Sequence, residues 1–120
     1  MVLFTLGVNS AVTSAVRGKG TGLRFEFESK KLEALYLNEE GARKYPRPVV
    51  GSFFEVMAAI DAATSTQDLL KLKGLNFEKL KGNRKGQCSL RLNDQWRLIV
   101  KVGTENGKQC LRIVEIADYH

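Results

Sequence analysis

The chain has 120 residues, of which 43% are hydrophobic and 27% are charged, a balance typical of one globular domain rather than a disordered chain. Two cysteines and one histidine exclude a disulfide framework and offer no metal-ligand spacing, and no apolar run is long enough to span a bilayer. The net charge of +6 favours a polyanionic partner. We therefore expect a cytoplasmic protein that needs no cofactor or metal and binds no membrane.

The first 22 residues differ in composition from the rest of the chain. They are rich in small and hydroxylated residues and end in the glycine-rich stretch Arg17–Gly22. We predict that residues 1–22 are an N-terminal extension, which is either a genuine and partly disordered segment or the result of a start assigned too far upstream. Within it, Val2–Val16 also suits an extra strand or a short packed helix. The folded domain is then expected over residues 23–120.

The folded domain is predicted to begin with a strand and a helix. Arg24–Glu28 alternates apolar and polar residues, which is the pattern of a half-buried strand. Ser29 offers a hydroxyl to cap a following amphipathic helix, and Gly41 is expected to end it. The apolar side of this helix comprises Leu32, Leu35 and Tyr36.

A second helix is predicted over Val49–Ala63, after two prolines that mark the connection. Its large apolar residues recur at helical spacing, so this helix is expected to cover a sheet. They are Val49, Phe53, Val56, Met57 and Ile60. A short helical turn is predicted at Thr66–Leu72, capped by Ser65 or Thr66.

A basic loop follows over Lys79–Gly86, with glycines that allow the backbone to turn closely around a ligand. Its four cations are Lys79, Lys81, Arg84 and Lys85. This composition predicts an anionic ligand.

The rest of the chain alternates like three consecutive strands. Gln87–Leu92 and Trp96–Val102 are joined by a turn at Asn93 and Asp94, and Gln109–Ala117 forms the last strand. The less apolar face of this sheet carries Arg91, Arg97 and Lys101. The predicted fold is α+β, with an N-terminal strand and a helical hairpin packed on an antiparallel sheet that ends in a three-strand meander.

Three short motifs follow one another in the C-terminal half: the loop Leu80–Gly86, the turn Asp94–Arg97 and the terminal residues Asp118, Tyr119 and His120. In their order and spacing they resemble the RelE/ParE superfamily of small toxins, and within it the HigB-like plasmid maintenance system killer proteins. The resemblance covers about residues 23–120 and implies a RelE-like fold.

The resemblance implies a toxin of a type II toxin-antitoxin system that inhibits translation as a ribosome-dependent mRNA endoribonuclease, an mRNA interferase that needs no metal. The implied catalytic residues are Lys81, Arg97, Asp118, Tyr119 and His120. A histidine suits proton transfer at neutral pH because its unperturbed pKa is about 6.5. The implied RNA-binding cations are Lys79, Arg84, Lys85, Arg91 and Lys101. The division between general acid and general base stays open.

One position departs from the family pattern. Glu78 stands where HigB-like toxins often have a histidine, and a carboxylate is able to act as a base but not to present a cation to phosphate. Two alternatives to the nuclease remain: a ParE-like inhibitor of DNA gyrase, which shares the fold and the basic balance, and a catalytically decayed protein that still binds RNA or antitoxin, which Glu78 favours. The expected partners are a helix-turn-helix antitoxin of the HigA type, the ribosome and mRNA, and the toxin alone is expected to be a monomer.

Overall fold

The computed structural model describes residues 15–17 and 23–118, and it contains a six-stranded sheet with helices on one face. This arrangement confirms the predicted α+β class. Of the predicted extension, only Ala15–Arg17 falls within the described residues, where it forms a strand paired with the domain's first predicted strand. The prediction for residues 1–14 and 18–22 lies outside the described residues.

The strands are β1 (Ala15–Arg17), β2 (Arg24–Phe27), β3 (Glu78–Lys79), β4 (Gln87–Arg91), β5 (Trp96–Glu105) and β6 (Lys108–Asp118). They lie in the order β1-β2-β6-β5-β4-β3. The predicted three-strand meander is β4-β5-β6, with antiparallel pairing throughout. The sheet is not wholly antiparallel, because β2 runs parallel to β6. Such a pair needs a long crossover, which the helices supply.

The helices are α1 (Lys30–Asn38), α2 (Arg47–Ala62) and α3 (Thr66–Lys71). Ser29 caps α1 as predicted, since its Oγ accepts a hydrogen bond from the Leu32 N–H at 3.2 Å. Gly41 does not end this helix. Glu39 adopts the left-handed conformation instead, with a φ of 58°, and its N–H bonds to the Leu35 carbonyl at 2.9 Å.

The core lies between the helices and the inner face of the sheet. All five apolar residues that the helical spacing selected in α2 are buried, so that prediction is confirmed. Phe25 and Phe27 of β2 meet Tyr36 of α1 in a cluster of rings whose centroids lie 5.5 to 6.0 Å apart. Loss of a buried aromatic side chain such as Phe53 typically costs about 3–5 kcal/mol of stability. The core therefore fixes the sheet on which the charged residues stand.

The start of α3 is held by contacts that the sequence did not indicate. The Asp68 carboxylate accepts hydrogen bonds from the Thr64 N–H at 2.9 Å and the Thr64 hydroxyl at 2.8 Å, and these bonds lower the pKa of Asp68. The predicted side-chain cap from Ser65 is not formed. Thr66 is buried and bonds through its N–H to Gln109 Oε1 on β6 at 2.9 Å. None of the helices in the described part of the chain has the length and apolar character needed to cross a membrane.

Candidate nucleic-acid interface and catalytic site

The face of the sheet opposite the helices, here called the open face, carries the predicted arginines and lysine of the meander. Arg91 on β4 lies opposite Arg97 on β5, and Lys101 on β5 lies opposite Gln87 on β4. Directly opposite residues of neighbouring strands share a face. The structure therefore brings Arg91, Arg97 and Lys101 to one surface, as the alternation predicted.

The middle of the open face is less polar than expected. Ser89 and Ile99 lie opposite each other and are 1% and 0% exposed. Glu78 pairs with Ser89 at the edge of the sheet, and Glu115 pairs with Ile99 on the other side. The two carboxylates thus flank a buried pair on β4 and β5, and the whole row crosses four strands.

The basic loop reaches the open face through Arg84. Its Nη2 lies 2.9 Å from Glu115 Oε2, and its Nη1 donates to Gln87 Oε1 at 2.9 Å. The guanidinium is only partly exposed, with 34% of the side-chain surface accessible. Two fixed partners on two strands therefore hold this arginine against the sheet.

Other open-face cations are also paired with carboxylates. Glu28, which follows β2, lies 3.1 Å from Lys101 Nζ and 3.9 Å from Arg112 Nη1. Arg91 forms an ion pair with Asp94 in the turn after β4. The open face is therefore a surface of alternating charges rather than a uniformly positive one.

The turn between β4 and β5 positions Arg97. Asn93 Oδ1 accepts hydrogen bonds from the Gln95 N–H at 2.9 Å and the Trp96 N–H at 2.8 Å, which closes an Asx-type turn. Arg97 Nη1 donates to the Asn93 carbonyl at 2.6 Å and to the Trp96 carbonyl at 3.2 Å. These backbone hydrogen bonds fix the orientation of the Arg97 guanidinium.

The end of β6 lies beside Arg97. Asp118 is opposite Trp96, Ala117 is opposite Arg97, and Asp118 Oδ1 accepts a hydrogen bond from Gln95 Nε2 at 2.9 Å. Two of the predicted catalytic residues, Arg97 and Asp118, thus lie one register position apart on adjacent strands, with Arg97 on the open face and Asp118 in the row of Trp96, which packs against the core. The predictions for Tyr119 and His120 fall outside the described residues.

The other predicted loop cations line a groove of about 930 Å³ between α3 and the β3–β4 edge of the sheet. They are Lys79, Lys81 and Lys85. Within the described residues, none of the ion pairs uses these three lysines, in contrast to the arginines of the open face. The basic loop is therefore divided, with Arg84 on the open face and the lysines along the groove.

Residues 25–120 match the model of a known family, described as the RelE-like toxin of the type II toxin-antitoxin system HigB. The chain belongs to the HigB-like toxin family. Toxin HigB-1 of Vibrio cholerae serotype O1 is 39% identical to it over 77 residues, which cover 64% of this chain and 81% of that toxin. The motif-based resemblance is thereby confirmed, and this HigB-like protein is an mRNA-cleaving toxin of a type II toxin-antitoxin system.

Two solved structures are similar to this HigB-like toxin. A YoeB/ParE toxin from Agrobacterium tumefaciens has a TM-score of 0.50 and 13% identity, covering 80% of this chain and 98% of its own. A YoeB-YefM complex from Staphylococcus aureus has a TM-score of 0.49 and 24% identity, covering 82% and 97%. The first likeness supports the RelE-like fold.

The structure adds residues to the site that the sequence of this HigB-like toxin did not single out. Glu28 and Glu115 come from strands remote in sequence from the cations that they bind. Tyr45, after the short turn that follows α1, packs edge-on against Trp96 with ring centroids 6.0 Å apart. Burial and the nearby Glu115 raise the pKa of Tyr45. Only the alternation along β6 offered a sequence signal for Glu115. It places Glu115 two positions from Ala117, and therefore on the face that carries Arg97.

A cluster of potential metal ligands lies near β2, where Glu26, Glu105 and Cys110 offer atoms within 4.8 Å of one another. Burial, together with Glu26, raises the pKa of the Cys110 thiol to about 11, and the thiol donates to Glu26 Oε2 at 3.4 Å. Glu105 lies 3.7 Å from Arg24 Nη1. The hydrogen bond of Cys110 to Glu26 and the ion pair of Glu105 with Arg24 account for the closeness of these groups.

Proposed function

We propose that this HigB-like toxin cleaves mRNA on the ribosome by transesterification that needs no metal. The ribose 2′-oxygen attacks the adjacent phosphorus while a general base takes its proton. The bond from phosphorus to the 5′-oxygen then breaks, and a general acid protonates that oxygen, which leaves a 2′,3′-cyclic phosphate and a 5′-hydroxyl. The observation that carries the proposal is the anchoring of Arg97 to the backbone of the β4–β5 turn, at the same end of the β5–β6 pair as Asp118.

In this proposal the cations stabilise the charge that builds on phosphate. The positive charge of Arg97 acts on a phosphate oxygen from the open face, and Lys81 adds a second positive charge from the groove side of the loop. Proton transfer falls to Asp118 and His120, and Tyr119 stacks a base or hydrogen-bonds to the phosphate. Stacking an unpaired base on an aromatic ring typically contributes about 1–3 kcal/mol.

The five proposed RNA-binding cations lie on two surfaces. Three of them, Arg84, Arg91 and Lys101, lie on the open face, each with a carboxylate partner. The other two, Lys79 and Lys85, line the groove. Cations that are already paired attract a bare RNA strand weakly, because each carboxylate offsets its partner's charge. This pairing favours a substrate held in place by a larger assembly, which supports the proposed dependence on the ribosome.

Glu78 is proposed as an auxiliary proton acceptor rather than a phosphate-binding residue. It is exposed at the sheet edge, where it pairs with Ser89. A carboxylate is intrinsically a weaker base than an imidazole such as that of the histidine in related toxins. The expected consequence is a slower enzyme with the same products.

The test combines purified toxin with ribosomes programmed with a defined mRNA, and it maps both the cut positions and the chemical ends of the fragments. We expect cleavage within codons, 2′,3′-cyclic phosphate and 5′-hydroxyl ends, and no comparable cleavage of the same mRNA without ribosomes. Fragments with 3′-hydroxyl and 5′-phosphate ends would contradict the metal-free mechanism. Equal cleavage of ribosome-free mRNA would contradict the dependence on ribosomes.

A further inference from the structure

The groove between α3 and the β3–β4 edge combines apolar surface with cations. Leu70 of α3 is 52% exposed and Val102 of β5 is 38% exposed, and both side chains line the groove. Glu78 is the one carboxylate among the described lining residues. Three exposed lysines line the groove as well: Lys79, Lys81 and Lys85. Such a surface is complementary to an apolar side chain with carboxylates around it.

Both walls of the groove are held in place by the protein itself. Gln109 Nε2 donates to Thr66 Oγ1 at 3.1 Å, and Gln109 Oε1 accepts from the Thr66 N–H at 2.9 Å, so β6 holds the start of α3. On the other wall, the Leu80 N–H donates to the Gln87 carbonyl at 2.9 Å and closes the loop. A partner therefore does not have to order these walls when it binds, which reduces the entropy cost of binding.

The end of α1 has the opposite chemistry, and we call residues 33–40 the acidic ridge. Leu37 is 55% exposed, the largest exposed fraction among the large apolar residues that the structure describes. Glu33 precedes it by one helical turn, and Glu39 and Glu40 follow the helix directly. The last turn of α1 has no basic residue, so the partial negative charge of the helix end adds to that of the carboxylates.

The carboxylates of the acidic ridge are not engaged in ion pairs. None of the ion pairs among the described residues uses Glu33, Glu39 or Glu40. Lys31 and Lys44 line a small depression together with Glu40 and reduce its field, but neither lies within ion-pair distance of it. The ridge carboxylates are therefore able to pair with the cations of another molecule.

The acidic ridge and the groove lie on separate parts of the fold. α1 packs on β2 through Tyr36, whose ring meets those of Phe25 and Phe27. The groove lies at the β3–β4 edge, and three strands separate β2 from β3 in the sheet. No described residue of α1 lines the groove. The ridge therefore does not reach the groove of its own chain, and the two surfaces meet only between two copies.

We propose that the acidic ridge of one copy docks in the groove of a second copy. Leu37 then covers the apolar surface of Leu70 and Val102, and the ridge carboxylates pair with the groove lysines. Because the two surfaces differ, the contact is heterologous, and a bound pair still offers one free ridge and one free groove. Association therefore depends on concentration and continues beyond a dimer. This inference amends the monomer expected from the sequence and does not depend on the cleavage chemistry.

A second copy suits the groove better than an RNA strand does. RNA phosphates would meet the lysines but gain nothing from the apolar surface of Leu70 and Val102. A docked ridge covers both kinds of surface. If the proposed cleavage mechanism holds, docking also neutralises Lys81, a proposed catalytic cation on the groove, and the associated toxin cleaves more slowly per molecule than the dispersed toxin.

The test is sedimentation velocity on the purified toxin over a series of concentrations at low and high salt. The wild type is expected to associate as its concentration rises and to associate less at high salt. The groove variant Lys79→Glu with Lys85→Glu and the ridge variant Glu39→Lys with Glu40→Lys are each expected to remain monomeric. Thermal melts check that both variants fold.

Mixing the two variants distinguishes the proposed contact from other forms of association. The groove variant keeps an intact ridge and the ridge variant keeps an intact groove, so an equimolar mixture is expected to form a one-to-one dimer and nothing larger. Both variants keep a net positive charge, because the wild-type charge is +6, so general electrostatic attraction does not explain a mixed dimer. An isologous interface would not show this complementation.

An uncharged substitution tests the apolar part of the contact. Leu37→Ser is expected to weaken association by about tenfold, because it removes the apolar side chain of the ridge. Leu72→Ser is the matched control, since Leu72 is 48% exposed and neither lines the groove nor belongs to α1. Equal association of Leu37→Ser and Leu72→Ser would contradict the proposed role of Leu37.

The inference is overturned if the wild type stays a monomer throughout the series. It is also overturned if the two charge variants associate as the wild type does, or if their mixture stays monomeric. A monomeric wild type whose groove variant loses affinity for RNA would identify the groove as a nucleic-acid site instead. Failure of the proposed cleavage chemistry would leave the sedimentation results unchanged.

Discussion

The two basic regions of this toxin look alike in the sequence and differ in the folded protein. On the open face, four cations share three carboxylates, in the pairs of Arg84 with Glu115, Arg91 with Asp94, and Lys101 and Arg112 with Glu28. In the groove, three lysines stand near Glu78, and none forms an ion pair within the described part of the chain. Counting the cations alone therefore overstates the positive electrostatic potential of the open face.

This difference assigns different roles to the two regions. Paired arginines have little remaining long-range attraction, but their guanidinium groups are held in fixed orientations that suit short-range recognition of phosphate. Exposed lysines with no ion-pair partner act over a Debye length of about 8 Å at physiological salt and attract any anionic ligand, RNA or protein. We infer that the groove lysines contribute most of the electrostatic attraction and that the open face contributes guanidinium groups held in fixed orientations.

The largest expected effect in a comparison of the two regions comes from the lysines. The double variant Lys79→Ala with Lys85→Ala should weaken binding to ribosomes and reduce the slope of log affinity against log salt by about 1.4, for two single-stranded phosphate contacts. Arg91→Ala is the control, because its charge is already offset by Asp94. An equal change in slope per removed charge for the lysine double variant and for Arg91→Ala would show that the ion pairs do not reduce the positive potential of the open face.

A smaller effect in the opposite direction is expected from the carboxylates. Glu115→Gln and Glu28→Gln keep the shape of the side chain and remove the charge that offsets Arg84 and Lys101. RNA binding should become tighter by about 1.5- to 5-fold at low salt, corresponding to the 0.2–1 kcal/mol typical of an exposed ion pair. Glu33→Gln on α1, on the helix side of the sheet, is the control.

Filter binding over a salt series measures these affinities for the carboxylate variants. If Glu115→Gln weakens RNA binding, the carboxylate serves mainly to orient Arg84, and the idea that it offsets the charge of the open face is wrong.

The local features of the fold were predictable from the sequence. The Ser29 cap, the buried side of α2 and the alternation that brings Arg91 and Arg97 to one face all follow from spacing within short segments. The family resemblance, carried by motifs between Leu80 and the chain end, is confirmed by the match over residues 25–120. Each of these signals depends on neighbours in the chain.

The features that the sequence did not reveal depend on contacts between distant segments. Glu28 meets Lys101 across 73 positions, and Thr66 meets Gln109 across 43. The parallel pairing of β2 with β6 brings Glu28 close to Lys101. The position of α3 against β6 brings Thr66 close to Gln109. The predicted end of α1 at Gly41 was wrong for a local reason, because Glu39 adopts the left-handed conformation that more often belongs to glycine.

The most direct test of the account concerns His120. An enzyme needs a group that transfers protons, whereas a protein that only binds its partners does not. His120→Gln keeps a polar side chain of similar size and removes the titratable group. Ribosome-dependent mRNA cleavage should fall by about 10²–10⁴, as is typical when a general acid or base is lost, and ribosome binding should change little. Arg97→Ala should instead reduce both binding and cleavage. Cleavage by His120→Gln at the wild-type rate would contradict the proposed mechanism and would leave Asp118 and Glu78 as the remaining groups for proton transfer.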